Sequence, residues 1–185
     1  MRELQRGLWW WEAVHPEWTP EDAATQEWGP EVSSYAIDDG GRLLLIDPTT
    51  PPSPVADLAA ECETAIVLTC PWHERDARSL VERLGTPVFV PPPDEFNDDV
   101  EWLRDDLERL EREGLVFSAG DRLPVGVDAL PGMLPNDLVL WVESRHALIF
   151  GDTLIDRGEG LELPADWLRE GATREPVLEA LQPLL

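Results

Sequence analysis

The chain has 185 residues, 38 of them Asp or Glu against 14 basic residues, for a formal net charge of −24. A field of that sign repels nucleic acid, anionic lipid and polyphosphate unless a basic patch intervenes, and the sequence offers none, so neither nucleic acid nor a membrane is an expected partner. No apolar run approaches the ~20 residues that a bilayer requires, and the N-terminus lacks the basic start and uninterrupted apolar middle of a signal peptide. A cytoplasmic protein is expected, with Cys62 and Cys70 as reduced thiols, because the strand expected between them holds them too far apart to bridge.

The length suits one domain over 1–185, and no break in composition asks for two. Gly7 to Val14 reads GLWWWEAV and is expected to open the first sheet, with Trp10 facing away from Trp9 and Trp11. His15 to Glu31 is Pro-punctuated and aperiodic, hence a long loop. Val32 to Asp38 and Arg42 to Asp47 flank DDGG as a hairpin. A short helix from Val55 to Cys62 precedes a buried strand, Thr64 to Thr69, which reads TAIVLT without alternation. Arg75 to Leu84 is an amphipathic helix closed by Gly85, and Pro87 to Val90 is the next strand. Phe96 to Glu113 spaces Val100, Leu103, Leu107 and Leu110 for a helix with a solvated charged face. Short strands are expected at Leu115 to Ser118, Arg122 to Leu123 and Val127 to Leu130. A second hairpin follows, Asp137 to Glu143 and His146 to Phe150, then helices near Asp166 to Glu170 and from Arg174 to Leu185.

Chemistry concentrates where the buried strand ends. Cys70, His73, Glu74 and Arg75 lie between the last strand residue and the helix that follows, the place where open α/β sheets carry their sites. Cys70, His73 and Glu74 can ligate a metal; Arg75 is a permanent donor and cannot. His15 and His146 are read as loop-anchoring and exposed residues.

With two early and late blocks of hairpins, each followed by helices, the pattern fits a four-layer αββα sandwich of the α+β class better than a doubly wound parallel sheet, since hairpins make antiparallel pairs. At this point the order of motifs resembles the metallo-β-lactamase-fold superfamily over nearly the whole chain. SSYAIDDGGRLLLIDP is similar to the strands that end in an Asp beside the metal pocket, here Asp47. IVLTCPWHERDA sits where the family carries Thr-His-x-His-x-Asp-His; LPGMLPNDLVLWVE sits at its Pro-Gly-His block, and HALIFGDTLID at the strand ending in Gly-Asp, here Asp152. The resemblance puts Cys70, Trp72, Glu74 and Arg75 at the positions of the family's loop ligands, and Met133 at its Pro-Gly-His histidine. It also implies a last strand beyond the final helix, which is expected to be lacking here.

Zinc hydrolysis needs several imidazole or carboxylate groups on each ion and an open position for water. The resemblance therefore implies a hydrolase by descent with most metal ligands replaced. The expectation is a metal-free relic, with no cofactor, that binds a small molecule or a protein partner. In it, Asp47, His73 and Asp152 converge at one edge, and Arg75 stands in for the cation by pairing with the carboxylate of Asp152, Asp47 or Asp76. One alternative is an atypical single-metal hydrolase holding zinc or another divalent ion on His73, Glu74 and Asp152. The other is a thiol-dependent enzyme through Cys70, whose thiolate a helix N-terminus and Arg75 would favour, with His73 and Asp152 as its neighbours. A sheet edge left open by the lacking strand would be covered in a homodimer or by a partner subunit.

Overall fold

Side chains alternate across a strand, so three consecutive tryptophans cannot all be buried on one face. In the computed structural model, which describes residues 1–21, 29–93, 101–156, 158, 160–168 and 173–182, the chain buries Trp11 completely and leaves Trp9 and Trp10 half-buried. Their strand, β2 (Leu8–Val14), is preceded by β1 (Arg2–Gln5), which pairs with it antiparallel. The sheet thus begins one strand earlier than the sequence pattern suggests. RELQ is polar and wholly exposed, so it carries no alternation to find, and the turn into β2 rests on Gly7 at φ 73.

The chain forms two compact units, Met1–Leu68 with Trp72–Phe89, and Thr69–Pro71 with Val90–Leu185. The first is built on a six-stranded sheet in the order β1-β2-β3-β4-β5-β6. The expected hairpin is present as β3 (Glu31–Asp38) and β4 (Arg42–Ile46), paired antiparallel. Its turn is tightened by Asp39, whose carboxylate accepts from the Arg42 amide at 2.9 Å. From β4 onward the strands run parallel: β5 (Glu63–Val67) lies beside β4, and β6 (Val88–Phe89) beside β5. Parallel neighbours need crossovers. These are α1 (Ser53–Glu61) and α2 (Ala77–Leu84), which bury Val55 with Ala59, and Ala77 with Leu80. Gly85 ends α2 in the left-handed conformation, with its amide on the carbonyl of Val81. Leu43, Leu44, Leu45 and Ile46 of β4 are all buried, as a strand covered on both faces requires.

The second unit holds α3 (Glu101–Arg112) and a four-stranded antiparallel sheet in the order β10-β9-β8-β7, where β7 is Arg122–Leu123, β8 Val127–Pro131, β9 Leu138–Val142 and β10 Ala147–Ile149. The expected strand at Leu115 to Ser118 is reduced to one parallel bridge between Val90 and Val116. A further small pair, β11 (Ile155–Asp156) with β12 (Leu161–Glu162), is too short to show periodicity in sequence. The last described element, α4 (Arg174–Leu181), sets Val177 and Leu181 into a cluster with Met133, Val139 and Leu163. Of the helix expected near Asp166 to Glu170, the described residues form one 3-10 turn, Ala165–Trp167, and residues 169 and 170 lie outside the described residues. The middle of the His15 to Glu31 loop and the first turns of the helix expected from Phe96 fall outside the described residues. Among the described residues, no helix is long and apolar enough to cross a membrane.

Leu44 lies fully buried between β3 and β5. Leu44→Ala is expected to lower the urea-unfolding free energy by ~2–5 kcal/mol through lost transfer energy and the cavity left behind. Leu161→Ala, at a side chain 67% exposed, should stay within ~0.5 kcal/mol of the parent.

Candidate functional site

In the first unit the polar residues gather where β4 ends. Asp47 follows Ile46 with φ 44, a left-handed conformation uncommon for a residue with a side chain, and it is only 3% exposed. Its neighbours over-determine that conformation. The Asp47 amide donates to the carbonyl of Val67 at 3.0 Å. The Asp47 carbonyl accepts from Ser34 Oγ at 2.9 Å and from an Arg75 guanidinium nitrogen at 2.7 Å. Ser34 Oγ also receives the Thr49 amide at 2.9 Å, and Thr49 Oγ1 receives Trp11 Nε1 at 2.9 Å. Trp11 is thus both a core residue and a donor to the bend that aims Asp47.

The Asp47 carboxylate meets His73, with Nδ1 and Oδ2 3.0 Å apart and both side chains largely buried. A carboxylate on Nδ1 fixes the ring and directs Nε2 the other way. Arg75, itself at φ 46, donates through the same terminal nitrogen to the carbonyls of Ser33 and Asp47, while its Nε is buried without a partner. The sequence led to an expected pairing of Arg75 with the carboxylate of Asp152, Asp47 or Asp76; the acceptors described for its guanidinium are the carbonyls of Ser33 and Asp47. Asp47 gives its carboxylate to His73, and Asp76 gives Oδ2 to the amide and hydroxyl of Thr50 at 2.6 and 2.8 Å. Main-chain carbonyls at a bent strand end offer acceptors that a residue pattern does not reveal.

Glu74 and His15 also belong to this unit. Burial, reinforced by the charge of Glu17 and opposed by Arg78, pushes the Glu74 carboxyl up to about 7. Burial first, and then the Arg75 charge, lower the pKa of His15. Tyr35 is raised, chiefly by burial and next by Asp47. His15 does anchor its loop, as its place in the sequence suggests: its amide donates to the Pro30 carbonyl and its carbonyl accepts the Trp18 amide.

In the second unit Cys70 is wholly buried, and one ligand atom each of Cys70 and Asp152 lie within 4.8 Å. The residue that sequence reasoning missed is Asp137, 0% exposed, which begins the second hairpin. Its Oδ1 accepts the Asp152 amide at 3.1 Å and its Oδ2 the Thr153 hydroxyl at 2.7 Å, while Thr153 Oγ1 accepts the Met133 amide at 2.8 Å. An acidic residue at the start of an apolar strand reads as a solvated turn; only burial distinguishes it.

No protein-family model matches the chain, and no curated protein is similar enough in sequence to count as a relative. Solved structures are similar in fold. A metallo-beta-lactamase family protein from Thermus thermophilus, TTHA1429, superposes with a TM-score of 0.58 at 18% identity, over 97% of this chain and 69% of its own. The metallo-beta-lactamase FIM-1 from Pseudomonas aeruginosa, in a mono-zinc form, gives 0.59 at 13% identity over 98% and 81%. TTHA1623, in a di-iron-bound form, gives 0.53 at 23% over 85% and 83%.

The state of Glu74 has a measurable consequence. An unfolded Glu ionises near 4.5, whereas folded Glu74 keeps its proton to about 7. Between those values the folded state binds more protons, so this residue makes stability fall as pH rises through the window, with no further change above it. In thermal melts, Glu74→Gln should gain on the parent as pH rises from about 4.5 to about 7; a constant difference in Tm would contradict the buried carboxyl. The order of strands and helices and the superpositions agree, and the chain has the metallo-β-lactamase fold.

Proposed function

We propose that the chain is a divergent member of the metallo-β-lactamase superfamily in which the inherited hydrolytic centre has become a metal-free polar network that binds a small molecule or a protein partner. The observation that carries this reading is Arg75. A guanidinium is always charged, and here it is anchored on the Ser33 and Asp47 carbonyls, in the loop position that the resemblance assigns to a metal-binding imidazole. A fixed cation there opposes a second one. The donor set agrees, since Trp72, Arg75 and Met133 supply no zinc ligand where three would be needed, and Asp47 is already engaged by His73. These residues do not fit a two-ion centre.

A second reading has one observation in its favour. Within the second unit Cys70 and Asp152 bring a soft and a hard ligand within 4.8 Å, which supports the alternative of a single divalent ion with Asp152 among its ligands. A thiol-dependent enzyme is disfavoured by the complete burial of Cys70. A homodimer remains part of the proposal, supported by the edge position of β10 in the second sheet.

Elemental analysis of protein purified without chelator separates the first two readings. The metal-free reading expects less than a tenth of an equivalent of any transition metal and a Tm unchanged by EDTA. Near-stoichiometric metal or a chelator-sensitive melt would establish the single-ion reading instead. Arg75→Met should cost ~1–3 kcal/mol, because it strips a charged donor from two part-buried carbonyls, and no divalent ion should restore the loss.

A further inference from the structure

Asp137 has no part in the reading above, yet the Asp152 amide and the Thr153 hydroxyl converge on its carboxylate. We propose that Asp137 is a positioning residue whose buried carboxylate clasps two loops, Pro131–Met133 and Gly151–Thr153, and so fixes the direction of Asp152.

The hydrogen bonds have only one consistent polarity. Thr153 Oγ1 receives the Met133 amide at 2.8 Å, so its single proton is free to be donated, and Asp137 Oδ2 takes it at 2.7 Å, the short distance of a hydroxyl on a charged acceptor. Oδ1 takes the Asp152 amide at 3.1 Å. Both carboxylate oxygens therefore act as acceptors: Oδ1 holds the Gly151–Thr153 loop directly, and Oδ2 reaches the Pro131–Met133 loop through Thr153. Asp137 and Thr153 are both 0% exposed, so water does not substitute for a lost arm without opening the structure.

The glycines of the two loops fit the same device. A Cβ on Gly151 would lie 2.5 Å from Asp137 Oδ1 and 2.7 Å from Thr69 Oγ1, and a Cβ on Gly132 would overlap the Asp137 carbonyl oxygen and Thr153 Oγ1. Each loop must run bare past Asp137 for the clasp to close. The glycine of the Gly-Asp pair thus lies against the Asp137 carboxylate, and that of the Pro-Gly pair against the Asp137 main-chain carbonyl and Thr153 Oγ1.

Amide hydrogen exchange and the hydroxyl proton of Thr153, followed by NMR, test the proposal. In the parent protein the Thr153 hydroxyl should give a slowly exchanging resonance, with the Asp152 and Met133 amides protected. Asp137→Asn keeps one acceptor, so at least one arm fails: either the Asp152 amide or the Thr153 hydroxyl with the Met133 amide should exchange at least tenfold faster, while the amides of β8 and β9 stay as they were. Thr153→Val should release Met133 and leave Asp152 protected, Thr153→Ser should restore both, and Gly151→Ala should release Asp152 alone. Unchanged protection of both amides in Asp137→Asn would overturn the clasp. So would equal loss at both in Thr153→Val, since a residue that only stabilises the unit would loosen both loops together. If Asp137→Asn does not fold, the Val and Ser variants of Thr153 still decide.

Discussion

A carboxylate or a guanidinium withdrawn from water must find partners in the protein, and in this chain the main chain and side chains share that task. Asp47 holds a left-handed backbone only because its amide, its carbonyl and its carboxylate are each engaged, by Val67, by Ser34 with Arg75, and by His73. Relaxing that bend would leave the Arg75 guanidinium and the Thr49 and Trp11 bonds without their geometry. An unpaired buried polar group costs ~1–3 kcal/mol, comparable to the conformational strain it offsets, so bend and network stand or fall together.

The second unit solves the same problem with the roles exchanged. Asp137 is the buried charge; the Asp152 amide and the Thr153 hydroxyl supply its partners, and the Met133 amide joins through Thr153. In both units a carboxylate next to a strand end organises the polar loops around it, and the glycines or left-handed residues nearby allow the close approach. Hydrogen bonds of this kind set direction more than they add net stability, since each replaces a bond to water. Most of the free energy of folding comes from the apolar strands, with β4 and β9 buried almost throughout.

The loop from Cys70 to Asp76 carries the chemical character of the protein. Its Arg75 donates inward to carbonyls, its Asp76 holds Thr50, and its Glu74 keeps a proton to about 7. Three charged residues in sequence thus have three different environments. Formal charge at this loop is a poor guide to the field that a ligand would meet, and the functional reading rests on which atoms each group has already engaged.

Much of the architecture was legible in the residues. The DDGG hairpin, the Gly85 helix end and the apolar runs of β4, β5 and β9 follow from turn chemistry and hydrophobic patterning, which act over a few residues and leave a local mark. What escaped the sequence has a common physical origin. β1 is polar and exposed, β11 and β12 are two residues long, and none of them shows a period. The carbonyl partners of Arg75 and the burial of Asp137 depend on segments far apart in the chain, Ser33 with Arg75 and Asp137 with Thr153, whose meeting no local pattern encodes. Sequence by itself determined most of the strands and helices and which residues carry charge or sulfur; only the tertiary structure decided which of those groups are buried and which partner each one found, because desolvation and hydrogen-bond geometry are properties of the packed chain and not of its order.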